Sequence, residues 1–305
     1  MNKPKVIVIC GPTASGKTAL SIELAKQIDG QIVSADSMQI YKDMDIGSAK
    51  PTIEEMFGIK HYMIDFVSPD DRYSVADYQK QATNSIEEIL KNGKPPIVVG
   101  GTGLYVDSLI YGIRYNEMEF DEEYRNKLED IVKKEGLEKL YEMAVKIDSE
   151  AMQKISQNDK KRILRVLEIY HQTGKTKTQQ EASSKEEVKY DYKVFAINMD
   201  REILYDRINK RVDIMISQGL IQEVQSILKK YNKYPTAMQA LGYKEIKQYL
   251  EGELTKEEAI EKIKQETRRY AKRQLTWFRK NKQTVWLDGL ESKQNNINII
   301  LGYST

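Results

Sequence analysis

The most constraining feature of this sequence is residues 11–18, a segment with two glycines that directly follows an apolar run at Lys5–Cys10. The glycines allow tight turns, so consecutive backbone N–H groups and the positive end of the following helix point at one anion. Lys17 adds a cation, and the Thr18 hydroxyl supplies a ligand for magnesium. The alternative, a surface Gly-Lys turn, is disfavoured by the strand-like run before the segment and the helix-like run after it. The segment therefore predicts a phosphate cradle, formed by Gly11, Pro12, Thr13, Ala14, Ser15, Gly16, Lys17 and Thr18.

Composition limits the number of domains and the classes of site that this chain can form. A chain of 305 residues, 40% of them hydrophobic, can bury one large or two modest cores. Its single cysteine, Cys10, lies within the first apolar run, which excludes a disulfide framework and a cysteine-based zinc site and predicts a cytoplasmic location. Because no run of about 18 apolar residues occurs, the sequence predicts neither a signal peptide nor a membrane span. The net charge of +2 by itself indicates no particular partner.

Short apolar runs alternate with helical periods at both ends of the chain, whereas the middle has helical spacing throughout. The predicted strands are Lys5–Cys10, Gln31–Ser34, 97–99, 194–199 and 285–287. Strands beside helices favour an α/β fold, with a P-loop NTPase-like parallel sheet and flanking helices. The core domain is predicted to be discontinuous, with residues 1–117 and 190–305 around a helical insertion at 118–189. Near the end of the insertion, the polar tract 173–187 predicts a mobile connection.

Asp36 ends the second strand-like run, at the edge where open parallel sheets bind their ligands. A carboxylate beside a phosphate cradle can accept a proton from an attacking hydroxyl or amine, or hold magnesium through water. The alternative is a loop aspartate that caps the next turn. The later strand runs into Gly-Gly-Thr-Gly at 100–103 without an aspartate at its end, which favours a group-transfer enzyme over a motor-like or switch-like ATPase.

Positive charge gathers in two helical segments. In 159–171, Arg165 lies three residues after Arg162 and four after Lys161, and the three cations lie opposite an apolar stripe. The second segment opens with a capping pattern at Thr255 and carries Lys264, Arg268, Arg269, Lys272, Arg273, Arg279 and Lys280, with Trp277 and Phe278 among them. Such stripes suit a nucleic acid, and solvated helix faces are the alternative. A further pair, Arg207 and Arg211, is expected either to clamp a diphosphate or to pair with neighbouring aspartates.

Seven segments then point to one family. They are residues 11–18, Ala-Asp-Ser-Met-Gln-Ile-Tyr at 35–41, and the segments at 45–51, 99–105, 158–168, 242–245 and 267–277. In this order they closely resemble bacterial tRNA dimethylallyltransferases over essentially the whole chain. The resemblance implies transfer of a dimethylallyl group from dimethylallyl diphosphate to the exocyclic N6 amine of the adenosine 3′-adjacent to the anticodon, in tRNAs reading codons that begin with U. It also implies Mg²⁺ as cofactor and the tRNA anticodon stem-loop as partner, with no membrane association and a monomeric enzyme.

The resemblance also implies roles for individual residues. Asp36 is expected to act as the base, while Lys17, Thr18 and Arg211 neutralise the departing diphosphate and Thr18 holds the metal. The cradle would thus hold a prenyl diphosphate where relatives of the fold hold a nucleoside triphosphate. The tRNA-binding residues implied are Asp36, Ser37, Met38, Gln39, Thr102, Arg125, Lys161, Arg162, Ile163, Leu164 and Arg165.

Three alternative functions remain at this point. One is a prenyltransferase that acts on free adenine nucleotides, for which the basic insertion would serve no purpose. Another is a P-loop kinase that uses ATP, with Asp36 activating a small-molecule hydroxyl. The third is a non-catalytic RNA-binding module. Steep weakening of tRNA binding by salt separates the tRNA enzyme from the kinase, which lacks an extensive phosphate footprint.

Overall fold

The computed structural model describes residues 3–113, 120–184 and 187–304. The chain divides into two compact units, one formed by Met1–Ile110 with Val188–Thr305 and the other by Tyr111–Glu187. Residue 118, the predicted start of the insertion, lies outside the described residues.

The first unit is built on a six-stranded parallel sheet with the strand order β3-β2-β4-β1-β5-β6. The strands are β1 (Lys5–Cys10), β2 (Gln31–Ser34), β3 (His61–Tyr62), β4 (Pro96–Gly100), β5 (Asp191–Asn198) and β6 (Val285–Asp288). The predicted α/β fold with a P-loop NTPase-like parallel sheet is confirmed, and β3 is the strand that sequence reasoning missed. Its two residues pair with Ile32 and Val33, and so short a segment carries no periodicity.

Helices connect the strands in the order of the chain. They are α1 (Lys17–Ile28), α2 (Ile53–Met56), α3 (Val75–Lys91), α4 (Gly103–Ile110), α5 (Glu122–Ile147, interrupted at Gly136), α6 (Ser149–Met152), α7 (Lys160–Thr173), α8 (Lys177–Ser183), α9 (Arg201–Ser217), α10 (Leu220–Lys230), α11 (Tyr243–Leu250), α12 (Lys256–Phe278) and α13 (Lys293–Ser304). The predicted capping pattern at Thr255 is confirmed, because its side chain accepts from Glu258 N at the start of α12. In the described part of the chain, no helix is both long and apolar enough to span a bilayer.

Both faces of the sheet are buried, as the apolar runs predicted. Along β1, Val6 and Val8 pack in the cluster that contains Tyr78 of α3 and Val106 of α4. Ile7 and Ile9 face the other way, into a cluster with Leu24 of α1 and Ile300 of α13. Cys10 is fully buried, and burial raises the pKa of its thiol, which keeps it protonated and unreactive. The two layers leave the carboxyl ends of the strands as the edge where loops can form a site.

The second unit is helical, with α5 and α7 packing around a core that includes Leu128, Leu140 and Leu167. Its last helix corrects a prediction: residues 177–183, expected within a mobile connection, form α8. Asp148 stabilises this helix by accepting from Thr178 N at 2.8 Å and from Thr178 Oγ1 at 2.7 Å. A polar tract can thus be ordered through hydrogen bonds to a residue that lies 30 positions earlier in the chain.

Candidate active site

The phosphate cradle lies between the end of β1 and the start of α1. Gly16 is the N-cap of α1 and has a φ of 89°, in the left-handed region that favours glycine. Because glycine has no side chain to cap the helix, the first amides of α1 are available to an anion. Lys17 follows at once, and its Nζ donates to Pro12 O at 3.2 Å, which folds the side chain back over the loop.

One cavity of about 360 Å³ brings the predicted catalytic residues together. Lys17, Thr18, Asp36 and Arg211 all contribute to its lining, although they come from α1, the end of β2 and α9. Three of the predicted tRNA-binding residues, Ser37, Met38 and Gln39, also line this cavity. Arg207, one helical turn before Arg211, is exposed and lies outside this lining.

Asp36 is oriented by the turn that follows it. Its Oδ1 accepts from Met38 N at 2.9 Å and from Gln39 N at 3.4 Å. The residue therefore caps a turn, as the structural alternative predicted, and lines the cavity as well. These hydrogen bonds engage Oδ1 and fix the orientation of the carboxylate. A general base must be held in this way, so that it can reach the proton that it accepts.

The cradle concentrates buried positive charge. Burial lowers the pKa of Lys17 to about 8, an effect that the nearby Asp36 carboxylate opposes and Arg211 reinforces. Burial likewise lowers the pKa of Arg211, while Asp36 and Glu55 oppose that shift. Two partly desolvated cations near Asp36, with Glu55 also acting on Arg211, form a site that an anion such as diphosphate would stabilise.

Thr102 joins two loops at the sheet edge. Its Oγ1 accepts from Ser37 N at 3.0 Å and donates to Ser37 Oγ at 3.2 Å. The adjoining glycines allow the backbones of the two loops to approach closely, because a Cβ added at Gly100 would lie 2.1 Å from Ala35 O. Thr102 thus holds the turn that begins at Asp36 rather than lining the cavity itself.

Gln274 is a residue of the site that sequence reasoning missed. It is a buried polar residue on the basic helix α12, and its Oε1 accepts from Thr13 N at 2.9 Å. Its Nε2 donates to Gly101 O at 2.8 Å, so one side chain joins the cradle to the glycine-rich loop. In the sequence, Gln274 differs from its neighbours only as an uncharged amide in a strongly charged segment. That difference does not reveal its hydrogen-bond partners, which lie far away in the chain.

Trp277 and Phe278 of α12 pack against the core of the first unit. Trp277 Nε1 donates to Asp107 Oδ2 at 2.8 Å, and Phe278 is 4% exposed, so both rings serve packing rather than base stacking. Part of the predicted basic stripe is also paired internally: Lys264 with Asp213 at 2.8 Å and Arg268 with Asn209 at 2.6 Å. Lys272 and Arg273 are exposed.

In the second unit, Lys161, Arg162 and Arg165 are exposed on α7, as predicted. Arg125 packs beside the same helix, where its Nη1 donates to Glu168 Oε1. The remaining two residues of the predicted set are corrected. Ile163 is 0% and Leu164 1% exposed, because the apolar face of α7 packs into the core, so their side chains are not available to RNA.

This chain is similar to known proteins over most of its length. The IPP transferase family matches residues 39–281. A tRNA dimethylallyltransferase of Acetivibrio thermocellus is 52% identical over 285 residues, which cover 93% of this chain and 91% of that protein. The crystal structure of the tRNA isopentenylpyrophosphate transferase of Bacillus halodurans superposes with a TM-score of 0.73 at 41% identity, covering 99% of this chain and 96% of that one.

A eukaryotic dimethylallyltransferase acting on tRNA superposes with a TM-score of 0.83 at 32% identity, covering 99% of this chain and 79% of that one. Sequence and structural similarity thus extend over nearly the full length of the chain. The chain belongs to the tRNA dimethylallyltransferase (IPP transferase) family.

Proposed function

We propose that this protein transfers the dimethylallyl group of dimethylallyl diphosphate to the N6 amine of the adenosine 3′-adjacent to the anticodon, in tRNAs reading codons that begin with U. The observation that carries the proposal is the convergence of Asp36 with Lys17, Thr18 and Arg211 on one cavity. The names of the relatives, which are tRNA dimethylallyltransferases and isopentenylpyrophosphate transferases, support the same reaction.

The reaction requires a proton acceptor and charge neutralisation from the residues that line this cavity. The adenine amine is a weak nucleophile because its lone pair is delocalised into the ring, so Asp36 accepts its proton as the new N6–C1 bond forms. The bond between C1 and the diphosphate oxygen breaks at the same carbon, and its electron pair leaves with the diphosphate. Lys17, Arg211 and the cradle amides neutralise the charge that develops on that leaving group.

Magnesium fits the donor set of the cradle. Its preferred ligands are oxygens, and at phosphate sites it binds through few protein groups and keeps several waters. No trio of His, Cys, Asp or Glu that could hold a metal by itself occurs among the described residues. The Thr18 hydroxyl would therefore hold the ion together with the diphosphate, and the ion would supply further neutralisation of the leaving group.

We assign binding of the tRNA backbone in the second unit to Lys161, Arg162 and Arg165, which are exposed on α7. Replacing all three by alanine is expected to lower the slope of log affinity against log salt by about three, because each lost phosphate contact removes about one. Filter binding of tRNA across a salt series measures this. The matched triple control replaces Lys133, Lys139 and Lys154, exposed lysines of the same unit that each lie within 4.0 Å of an acid three or four residues earlier in the chain. An equal loss of slope in that control would contradict the assignment.

The reaction itself is tested with magnesium, labelled dimethylallyl diphosphate, and either unmodified tRNA or free AMP as acceptor. We expect label in tRNA alone, because the extended cationic surface serves a large polyanion. Label in AMP would identify a nucleotide prenyltransferase. Consumption of ATP with small alcohols, and no label in either acceptor, would identify a kinase.

A further inference from the structure

The segment between β2 and α2 contributes to more than one cavity. Its residues 45–51, called here the wall loop, supply Gly47, Ser48 and Pro51 to the cavity that contains Asp36. Other wall-loop residues, Asp45, Ile46, Ala49 and Lys50, line a neighbouring cavity of about 670 Å³. Lys17, Thr18 and Arg211 line both cavities, so the wall loop shares both of them with residues of the proposed diphosphate site.

One carboxylate binds three consecutive amides of the wall loop. Glu223, on α10, accepts from the consecutive amides of Asp45 at 3.0 Å and Ile46 at 2.7 Å through Oε2, and from Gly47 at 3.1 Å through Oε1. Successive amides aimed at one point form the kind of concavity that binds anions. Here a side chain that lies about 180 positions later in the chain occupies it.

Tyr243 completes this clamp from α11. Its hydroxyl donates to Glu223 Oε1 at 2.5 Å, so the carboxylate receives four hydrogen bonds. The Tyr243 ring is fully buried directly against the wall loop, since a Cβ at Gly47 would lie 2.4 Å from its Cε2 atom. Charge-assisted hydrogen bonds of this kind are about twice as strong as neutral ones, which makes the clamp a rigid one.

The wall loop is connected in turn to the catalytic carboxylate. Gln39 Nε2 donates to Ala49 O at 3.1 Å, and Gln39 N donates to Asp36 Oδ1 at 3.4 Å. Displacement of the wall loop therefore removes a restraint on Gln39 and on the turn that orients Asp36. Glu223 itself lines neither cavity, so any effect it has on the reaction acts through these contacts.

We propose that Glu223 is a positioning residue that fixes the wall loop against the cradle and so sets the affinity for the prenyl diphosphate. The proposal rests on the proposed function for the identity of that ligand. It requires no contact between Glu223 and either substrate, and it predicts a smaller effect on tRNA affinity, to which the exposed cations of α7 contribute separately.

The test compares Glu223→Gln with Tyr243→Phe and with the surface control Gln222→Ala on the same helix. Glutamine has one acceptor oxygen and turns an amide donor toward the wall-loop N–H groups, so kcat/KM for dimethylallyl diphosphate should fall tenfold or more, chiefly through KM. Tyr243→Phe removes one donor of four and should cost only a few-fold. The dissociation constant for tRNA should stay within about twofold of the parent value in every variant.

Two outcomes would overturn the proposal. One is an unchanged kcat/KM in Glu223→Gln. The other is a parallel loss of prenyl diphosphate affinity, tRNA affinity and melting temperature, which would indicate general destabilisation. Calorimetric binding of inorganic diphosphate to the same variants needs no turnover, so it tests the clamp separately from the proposed reaction. If the proposed function itself is wrong, the parent enzyme will transfer no label.

Discussion

Replacing Asp36 by asparagine is expected to lower the rate of prenyl transfer to tRNA by about 10²–10⁴-fold while tRNA affinity changes little. Asparagine keeps an Oδ1 that can accept from Met38 N and Gln39 N, so the turn after β2 is preserved. What is lost is the ability to take the proton of the adenine amine as the new bond forms. A single-turnover assay with enzyme in excess over tRNA measures the chemical step separately from product release.

Two further variants make the Asp36 result specific. Asp36→Ala removes the turn contacts as well as the base, so it should be at least as slow and less stable than Asp36→Asn. Asp29→Asn, at an exposed carboxylate paired with Lys94 on the surface, is the matched control and should keep the parent rate. Unchanged turnover in Asp36→Asn would remove Asp36 as the base and leave the cradle as the main source of catalysis.

Local sequence patterns predicted the elements whose structure is determined by residues that are close together in the chain. The bounds of β1 and β2 follow from short apolar runs, and the start of α12 follows from a capping pattern within four residues of Thr255. The cradle is equally local, because its glycines, cation and hydroxyl are contiguous. Asp36 could be placed because the end of a strand in a parallel sheet defines a position in space.

The remaining features depend on partners that are distant in the chain. α8 is fastened by Asp148, Gln274 gains its role from Thr13 and Gly101, and Glu223 from three amides of the wall loop. None of these contacts leaves a periodic pattern. Ile163 was assigned wrongly although the sequence contained the signal for its burial. Its position on the apolar face of α7 predicts a buried side chain, as the structure shows. The error arose because the whole stretch 161–165 was assigned to RNA binding without regard to that helical spacing.

Replacing Lys17 by methionine is expected to lower kcat/KM for dimethylallyl diphosphate by about 10²–10³-fold. Truncating one partner of a buried, hydrogen-bonded charge pair typically costs about 2–5 kcal/mol, and in the proposed reaction the other partner is the diphosphate. Lys94→Met, at an exposed surface ion pair, is the matched control and should stay near the parent value. A methionine variant with normal kcat/KM would show that the cradle amides and Arg211 suffice to bind the diphosphate.

The pH dependence provides a second, independent readout of Lys17. Burial lowers its pKa to about 8, and a lysine is cationic below its pKa, so kcat/KM for dimethylallyl diphosphate should be full below pH 8 and fall as pH rises through it. Bound diphosphate favours the charged lysine, and the decline in kcat should therefore lie at higher pH than the decline in kcat/KM. Lys17→Arg remains charged in this range, so its kcat/KM should be flat across pH 8 whatever its absolute value. A decline at the same pH in Lys17→Arg would assign the titration to another group, since the guanidinium does not lose its proton there.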